Sequence, residues 1–224
     1  MAISIDTVYQ RVLALANKEQ RGYITPQEFN LFANQAQGEI FEQYFYDVNQ
    51  VARVPGNDYV HADVDDMLEE KMQIFQNQAI LGPNIPNFVY RVYRIESSGI
   101  NCEILKTSDF NDAINGGPLT KPTATRPIAN IRTNTLRVSI GKGFLPSANV
   151  FYFSQPIQVR WGYVVVGSKP LYDPTYTTNF ELHQSEESEL VYKILKLAGV
   201  SMKRDDIMRA GQGMEISQVQ QEKQ

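Results

Sequence analysis

Apolar residues repeat at helical spacing in the first third of the chain, at strand spacing in the middle, and at helical spacing again near the end. That double switch of period points to an α+β chain with its β segment inserted between helices. In the first third, Val8, Val12 and Leu15 form a helical stripe, with Asp6 read as its N-cap. Phe29, Phe32, Ala33, Ala36, Ile40, Tyr44 and Phe45 give a broad apolar face to a helix expected from Pro26 to Asp47. A turn is expected at Pro55-Gly56-Asn57. A third helix with Val64, Leu68 and Phe75 on one side should then end before LGPNIP, where Gly82, Pro83 and Pro86 break regular structure.

The middle reads as strands. VYRVYRIES (89–97) alternates, with Val89, Arg91, Tyr93 and Ile95 on one side and Tyr90, Val92 and Arg94 on the other. Gly99 turns the chain, and Ile100, Cys102 and Ile104 return it as a hairpin. SDFNDAI (108–114) reads as a capped helical turn, and GGPLTKPTATRP (116–127) as an extended loop that cannot pack itself. Further strands are expected at Ile128–Arg132, Thr135–Ile140, Val150–Phe153 and Ile157–Val166, the last with Val159, Trp161, Tyr163 and Val165 on one face. Short strands at this spacing suggest an antiparallel sandwich or barrel-like region.

Helical period resumes after Ser185. Glu186, Glu187 and Glu189 precede Lys193 and Lys196, the order that suits a helix dipole. Leu190, Ile194 and Leu197 form the stripe, Gly199 is the expected stop, and residues 203–211 form one more short helix. The expected organisation is an N-terminal helical bundle over 1–82, a β-rich elaboration over 83–170, C-terminal helices over 171–211 that rejoin the bundle, and an extended tail over 212–224.

NKEQRGYITPQEF (17–29) imitates a calcium-binding loop: counted from Asn17, Gly22, Ile24 and Glu28 stand where such a loop needs them. Its ligands do not fit. Asn17 is neutral, and Arg21 puts a cation where an oxygen should meet the metal. Thr25-Pro26-Gln27-Glu28 instead spells a capping box, and Gly22 suits the end of a preceding helix. The stretch is read as a joint between helices.

The 224 residues are 42% hydrophobic, enough for a substantial core. One cysteine, Cys102, excludes an internal disulfide framework and a cysteine-based zinc site. No run of 18 apolar residues exists, and MAISIDTVYQR lacks the basic and apolar regions of a secretory signal, so the expected compartment is cytoplasm-like. Charge is uneven. Residues 1–80 carry 5 Lys+Arg against 12 Asp+Glu, residues 81–180 carry 10 against 5, and residues 181–224 carry 6 against 8. Such asymmetry favours charge-complementary packing between copies, or it is solvated surface.

Catalytic chemistry is not legible. His61 and His183 are far apart in the chain and sit beside acids, as surface histidines do. Cys102 reads as a small core residue. IGKGF (140–144) has phosphate-loop residue types without the spacing, and Asp63, Asp65 and Asp66 suit an acidic first helical turn as well as a cation. The expectation is no enzyme, with no catalytic residue, cofactor or metal. The candidate partner-contact residues are Lys121 and Arg126 in the proline-rich loop and Met208, Met214, Ile216 and Val219 near the end.

TVYQRVLALANKEQRGYITPQEFNLFANQAQ, PLTKPTATRP, WGYVVVGSKPLYD and SEESELVYKILKLAGVSMKRDDI together resemble a virion structural protein of the crAss-like phages and related marine tailed phages. The resemblance implies a head–tail connector, or neck ring protein, similar in role to podovirus adaptors. It implies a homo-oligomeric ring, a dodecamer, docked under the portal protein and joined to other neck and tail proteins. Genome DNA would pass through its lumen without specific binding, no membrane would be involved, and the protein would reside in the virion. A tail or baseplate structural protein is the neighbouring reading. Two other classes remain: a nucleic-acid-binding module using Tyr90, Tyr93 and Trp161 on the basic β region, and a calcium-regulated protein using residues 17–28.

Overall fold

Helix α1 (Ile5–Ala16) forms where Ile5, Val8, Tyr9, Val12 and Ala16 recur on one face and are buried. Leu15 falls off that stripe and is exposed. The helix begins one residue before Asp6, so the cap is Ser4, whose Oγ accepts from Thr7 N at 3.4 Å. The computed structural model describes residues 3–16, 24–51, 59–141, 143–201 and 205–222, without side chains at 51, 59–65, 200, 201, 205–208, 210, 218, 219, 221 and 222. Asn17, Arg21, Gly22, the 55–57 turn and the side chains of His61, Val64, Met208 and Val219 therefore lie outside the described residues.

The architecture is mixed α+β, with mainly antiparallel sheets and, among the described residues, no closed barrel. Two compact units divide the chain: residues 1–74 with 156–224, and residues 75–155.

The first unit holds α1, α2 (Pro26–Val51), α3 (Tyr59–Gln73), α5 (Glu187–Ser201) and α6 (Asp205–Glu222). The capping box forms at the start of α2. Thr25 N donates to Glu28 Oε2 at 3.0 Å, and Glu28 N donates to Thr25 Oγ1 at 3.3 Å. The hydrogen bonds from Thr25 hold the Glu28 carboxyl below its ordinary pKa. From there Phe29, Ala33, Ala36, Ile40, Phe41 and Tyr44 build the buried face of α2, and Phe32 and Phe45 flank it half-buried. Helix α5 lies against α1, α2 and α6, and α2 lies against α3.

Three further expectations fail among the helices of this unit. Gly199 does not stop α5, which continues to Ser201. The segment after 211 is no extended tail: α6 runs to Glu222, and Glu215 ties it to α5. Asp63 and Asp65 are not in the first turn of α3, which starts at Tyr59; Asp66 also lies deeper in the helix and is exposed.

The second unit begins at Phe75. The expected third helix stops at Gln73, and β1 (Gln76–Leu81) follows it, because Ala79 and Leu81 alternate inward while Ile80 points out. The unit also holds β2 (Val89–Ser97), β3 (Ile100–Asn101), β4 (Glu103–Ile104), α4 (Thr107–Asn115), β5 (Ile128–Arg132), β6 (Thr135–Ser139) and β7 (Ala148–Ser154). Two sheets form, ordered β1-β7-β2-β3 and β4-β5-β6. Pairing is antiparallel except between β4 and β5. Leu81, Ile95, Val150 and Tyr152 share one core cluster with Ala129, Leu136 and Val138, and Cys102 joins it. Burial raises the Cys102 thiol pKa. The expected turn at Gly99 is present, but its return strand is only Ile100–Asn101, because Glu103–Ile104 leaves to pair with β5; the helix near 108–114 is present without the expected side-chain cap. In IGKGF, Gly141 and Gly143 have positive φ, and Ser139 Oγ donates to Gly143 O at 3.1 Å; Lys142 lies outside the described residues.

Candidate interaction surfaces

Strand β2 does not alternate as its sequence reads. Val89 pairs with Ser154, Arg91 with Phe153, Val92 with Tyr152 and Arg94 with Phe151. Tyr90 and Tyr93 are therefore extra residues at two bulges, and each bulge resets which side the next residue faces. Val92 and Ile95 turn to the core, and Arg91 and Arg94 share the opposite face with Phe151 and Phe153. The Tyr93 ring is 5.0 Å from Phe153 and 6.3 Å from Phe151. The Arg94 guanidinium lies over Phe151, 5.3 Å from the ring centroid, and is held by Asn101 Oδ1 at 2.7 Å and by Glu96. Ile80, 77% exposed, extends the face along β1. The result is an aromatic and basic sheet face open to solvent.

A second surface belongs to the first unit. Residues 157–162 lack the expected ladder of a strand. They run beside α2, and helix side chains supply the hydrogen bonds a partner strand would give. Asn34 and Asn30 each bond both ways, to Val159 and Trp161 respectively. Gln37 Nε2 donates to Ile157 O at 2.7 Å, and its Oε1 accepts from Glu181 N at 3.2 Å. The other edge is main chain: Arg160 and Thr178 exchange N–H···O bonds of 3.1 and 2.8 Å. Trp161 is buried, its ring tilted against Tyr9 with centroids 4.3 Å apart, and it donates from Nε1 to Asp6 Oδ1 at 2.9 Å. It is a core residue of the first unit and offers no open ring face for base stacking.

Beyond Trp161 the chain forms a hairpin, β8 (Tyr163–Val166) and β9 (Lys169–Tyr172), absent from the sequence reading beyond Val166. Gly167 and Ser168 both have positive φ, the geometry of a two-residue hairpin turn. Tyr163 pairs with Tyr172 at the base, and both rings lie 5.8 Å from Trp161. Val164, Val165, Val166 and Leu171 are all exposed, Val165 by 63%. Three consecutive apolar residues on a two-stranded hairpin expose both of its faces.

The third feature is a buried ion cluster on α5 and the turn just before it. Glu186, Glu189 and Lys193 are all buried. Lys71 Nζ meets Glu186 Oε1 at 2.6 Å. Lys193 Nζ lies 3.4 Å from Glu189 Oε1 and 2.9 Å from Glu215 Oε1, and Lys196 holds the other Glu215 oxygen at 2.9 Å. One ammonium thus faces two carboxylates and bonds Glu215 better. Burial pushes the Glu189 carboxyl up to about 7. Lys193 opposes this, and Glu186 adds to it through its charge and a hydrogen bond. Burial acts against the charges of Lys193 and Glu215, but their mutual pairing prevails: the Lys193 pKa is raised and that of Glu215 lowered. The glutamates read from sequence as dipole partners are mainly a clamp between helices.

Of the expected contact residues, Lys121 and Arg126 are exposed, and Arg126 pairs with Glu103 at 3.3 Å. The loop that carries them packs after all. Pro122 and Pro127 are buried, and Thr123 and Arg126 exchange backbone bonds of 3.1 Å each. Leu119 at its tip is 95% exposed. Met214 and Ile216 are exposed on α6. His183 caps the turn before α5, its Nδ1 accepting from Ser185 N at 3.4 Å. Among the described residues no group of three or more His, Cys, Asp or Glu side chains is placed to hold a metal, and no described helix is long and apolar enough to cross a membrane. The amide stripe Asn30, Asn34, Gln37 was not singled out from sequence, although its i, i+4, i+7 spacing beside an apolar face was the available signal. Searches against known protein families and against curated proteins found no match.

Proposed function

We propose that this chain is a structural subunit of a tailed-phage virion, a head–tail connector of the neck that forms a ring under the portal and leads DNA from capsid to tail. The observation that carries the reading is the apolar surface that each unit holds in solvent, on the hairpin β8–β9 and on the sheet face around Tyr93 and Ile80. Large exposed apolar patches mark sites of protein association. The sequence resemblance supplies the virion setting and the expectation of twelve copies. In this reading the helices of the first unit are the bundle, residues 75–155 are its sandwich-like elaboration, and the work is assembly instead of catalysis. Lys121, Arg126, Met208, Met214, Ile216 and Val219 are contact residues for the portal or neighbouring neck proteins.

The test is to mix the purified protein with purified portal complexes and image them. An added ring beneath the portal is expected; portals indistinguishable from those imaged alone would reject the connector role. A ring that forms only on tail or baseplate complexes would move the protein to that layer.

A second reading rests on Tyr93, Phe151 and Phe153 beside Arg91 and Arg94, since aromatic rings stack bases and arginines meet phosphates. Fluorescence anisotropy with a labelled single-stranded oligonucleotide separates the two. A conduit predicts no tight binding at physiological salt, and micromolar or tighter, salt-dependent binding favours the module.

A further inference from the structure

We propose that the hairpin β8–β9 of one copy docks on the outer face of the β1-β7-β2 sheet of the next copy, head to tail. This deepens the ring reading and rests on it for closure of the chain of contacts.

The hairpin is an insertion device by its chemistry. Its base is anchored by Trp161, whereas Val164, Val166 and Leu171 share one side of its tip in solvent. A lone two-stranded hairpin is marginal in water, so apolar residues on both faces call for a cover. The sheet face is suited to supply it. Tyr93, Phe151, Phe153, Arg91 and Arg94 are aromatic and arginine, the residue types enriched at protein–protein contacts. Aromatic and β-branched side chains also pack well together on sheets.

Charge names the partner. Residues 75–155 carry 8 Lys+Arg against 4 Asp+Glu, and the remainder of the chain carries 13 against 21. A sheet face on the basic unit is repelled by the same unit of another copy and attracted by the acidic unit, which bears the hairpin. Each chain brings one hairpin and one receiving face, so the contact is heterologous and propagates until it closes as a ring.

Sedimentation of three proteins tests this: wild type, a hairpin variant (Val164→Asp with Val166→Asp) and a face variant (Ile80→Asp with Tyr93→Asp). All four positions are exposed, and circular dichroism and melting temperature verify that each variant folds. Wild type is expected to gain mass with concentration. Each variant alone stays monomeric. An equimolar mixture of the two variants forms a dimer and nothing larger, because only one competent hairpin and one competent face remain between them. The proposal is overturned if wild type is monomeric at every concentration, if either variant associates as wild type does, or if the mixture stays monomeric. It is also overturned if the face variant loses oligonucleotide binding with self-association intact, or if the variants lose thermal stability with no change in mass, the sign of docking within one chain. Rings that still form on portals with these variants would reject this contact alone. Failure of wild type to form rings on portals would reject the connector reading.

Discussion

Asn34 and Val159 form a two-way pair: Asn34 Nδ2 donates to the Val159 carbonyl at 2.9 Å, and Asn34 Oδ1 accepts from the Val159 N–H at 2.9 Å. A side-chain amide on a helix here replaces a neighbouring strand. Val159 is buried, so water is a poor substitute for either bond. Asn34→Ala is expected to destabilise the first unit by about 2–3 kcal/mol, the loss of two hydrogen bonds plus the cost of unpaired backbone groups. Urea unfolding followed by the fluorescence of Trp161, the one tryptophan, measures it. A change under about 0.5 kcal/mol would show that the segment is held by packing alone.

Glu189 makes stability depend on pH in an unusual direction. Its folded pKa is about 7, above its ordinary value of 4.5, so between those pH values the folded protein binds a proton that the unfolded chain has released. Its contribution is therefore fully present below about pH 4.5 and is lost as pH rises through 7. The size is on the order of 3 kcal/mol. Glu28 and Glu215 have lowered pKa values and act oppositely, losing their contribution as pH falls below the ordinary carboxyl range. Glu189→Gln should flatten the stability profile between pH 5 and 7 and stabilise the protein at pH 8. An unchanged slope in thermal melts across that window would remove Glu189 as the cause.

Glu215 is expected to behave in the opposite way at neutral pH. It holds both Lys193 and Lys196, and Lys193 is buried. Glu215→Gln leaves the buried Lys193 ammonium facing Glu189 at 3.4 Å, the longer of its two carboxylate contacts, and should cost about 2–4 kcal/mol. Hydrogen exchange should show α6 opening more readily while the second unit keeps its protection. Deleting residues 212–224 removes the same clamp and should lower the melting temperature.

Gly162 is buried against the turn at 173–176. A Cβ built there would sit 2.6 Å from Tyr176 C and 2.7 Å from Asp173 O, both rigid backbone atoms. Gly162→Ala should destabilise by about 2–3 kcal/mol through overpacking. Its backbone bond to Asp173 N, 2.9 Å, is the contact that must shift. A neutral melt would show that the turn yields freely.

Thr25→Ala removes the hydroxyl that caps α2 and should cost about 1 kcal/mol. The Glu28 carboxyl would lose its main hydrogen-bond partner, so its pKa should rise toward the ordinary value, a shift that side-chain NMR titration reads.

Local signals were the most legible. The capping box at Thr25–Glu28 is a four-residue pattern, and it formed as read because its partners are neighbours in sequence. Strands Ile128–Arg132 and Thr135–Ser139 appear where expected, the second one residue shorter than the Thr135–Ile140 expectation. Strand β2 was misread because its bulges at Tyr90 and Tyr93 depend on pairing with β7, some sixty residues later. The glutamates of α5 were misread because burial by α6 and Lys71 converts a favourable first turn into an ion cluster.

The sequence by itself determined the helical course of α1, α2 and α5, the extended course of β2, β5 and β6, and where the α2 joint begins, but not that the chain past Gly211 is helical or that Gln76–Leu81 is a strand. Periodicity and capping are short-range consequences of backbone geometry. Only the tertiary structure decided what those segments face. Asn34 reads as one polar residue among many on a helix until Val159 arrives beside it. Tyr93 reads as sharing a side with Ile95 until a bulge turns it to solvent. In both cases the deciding partner is distant in the chain, and the free energy of a polar or apolar side chain depends on the partner and the solvent it meets.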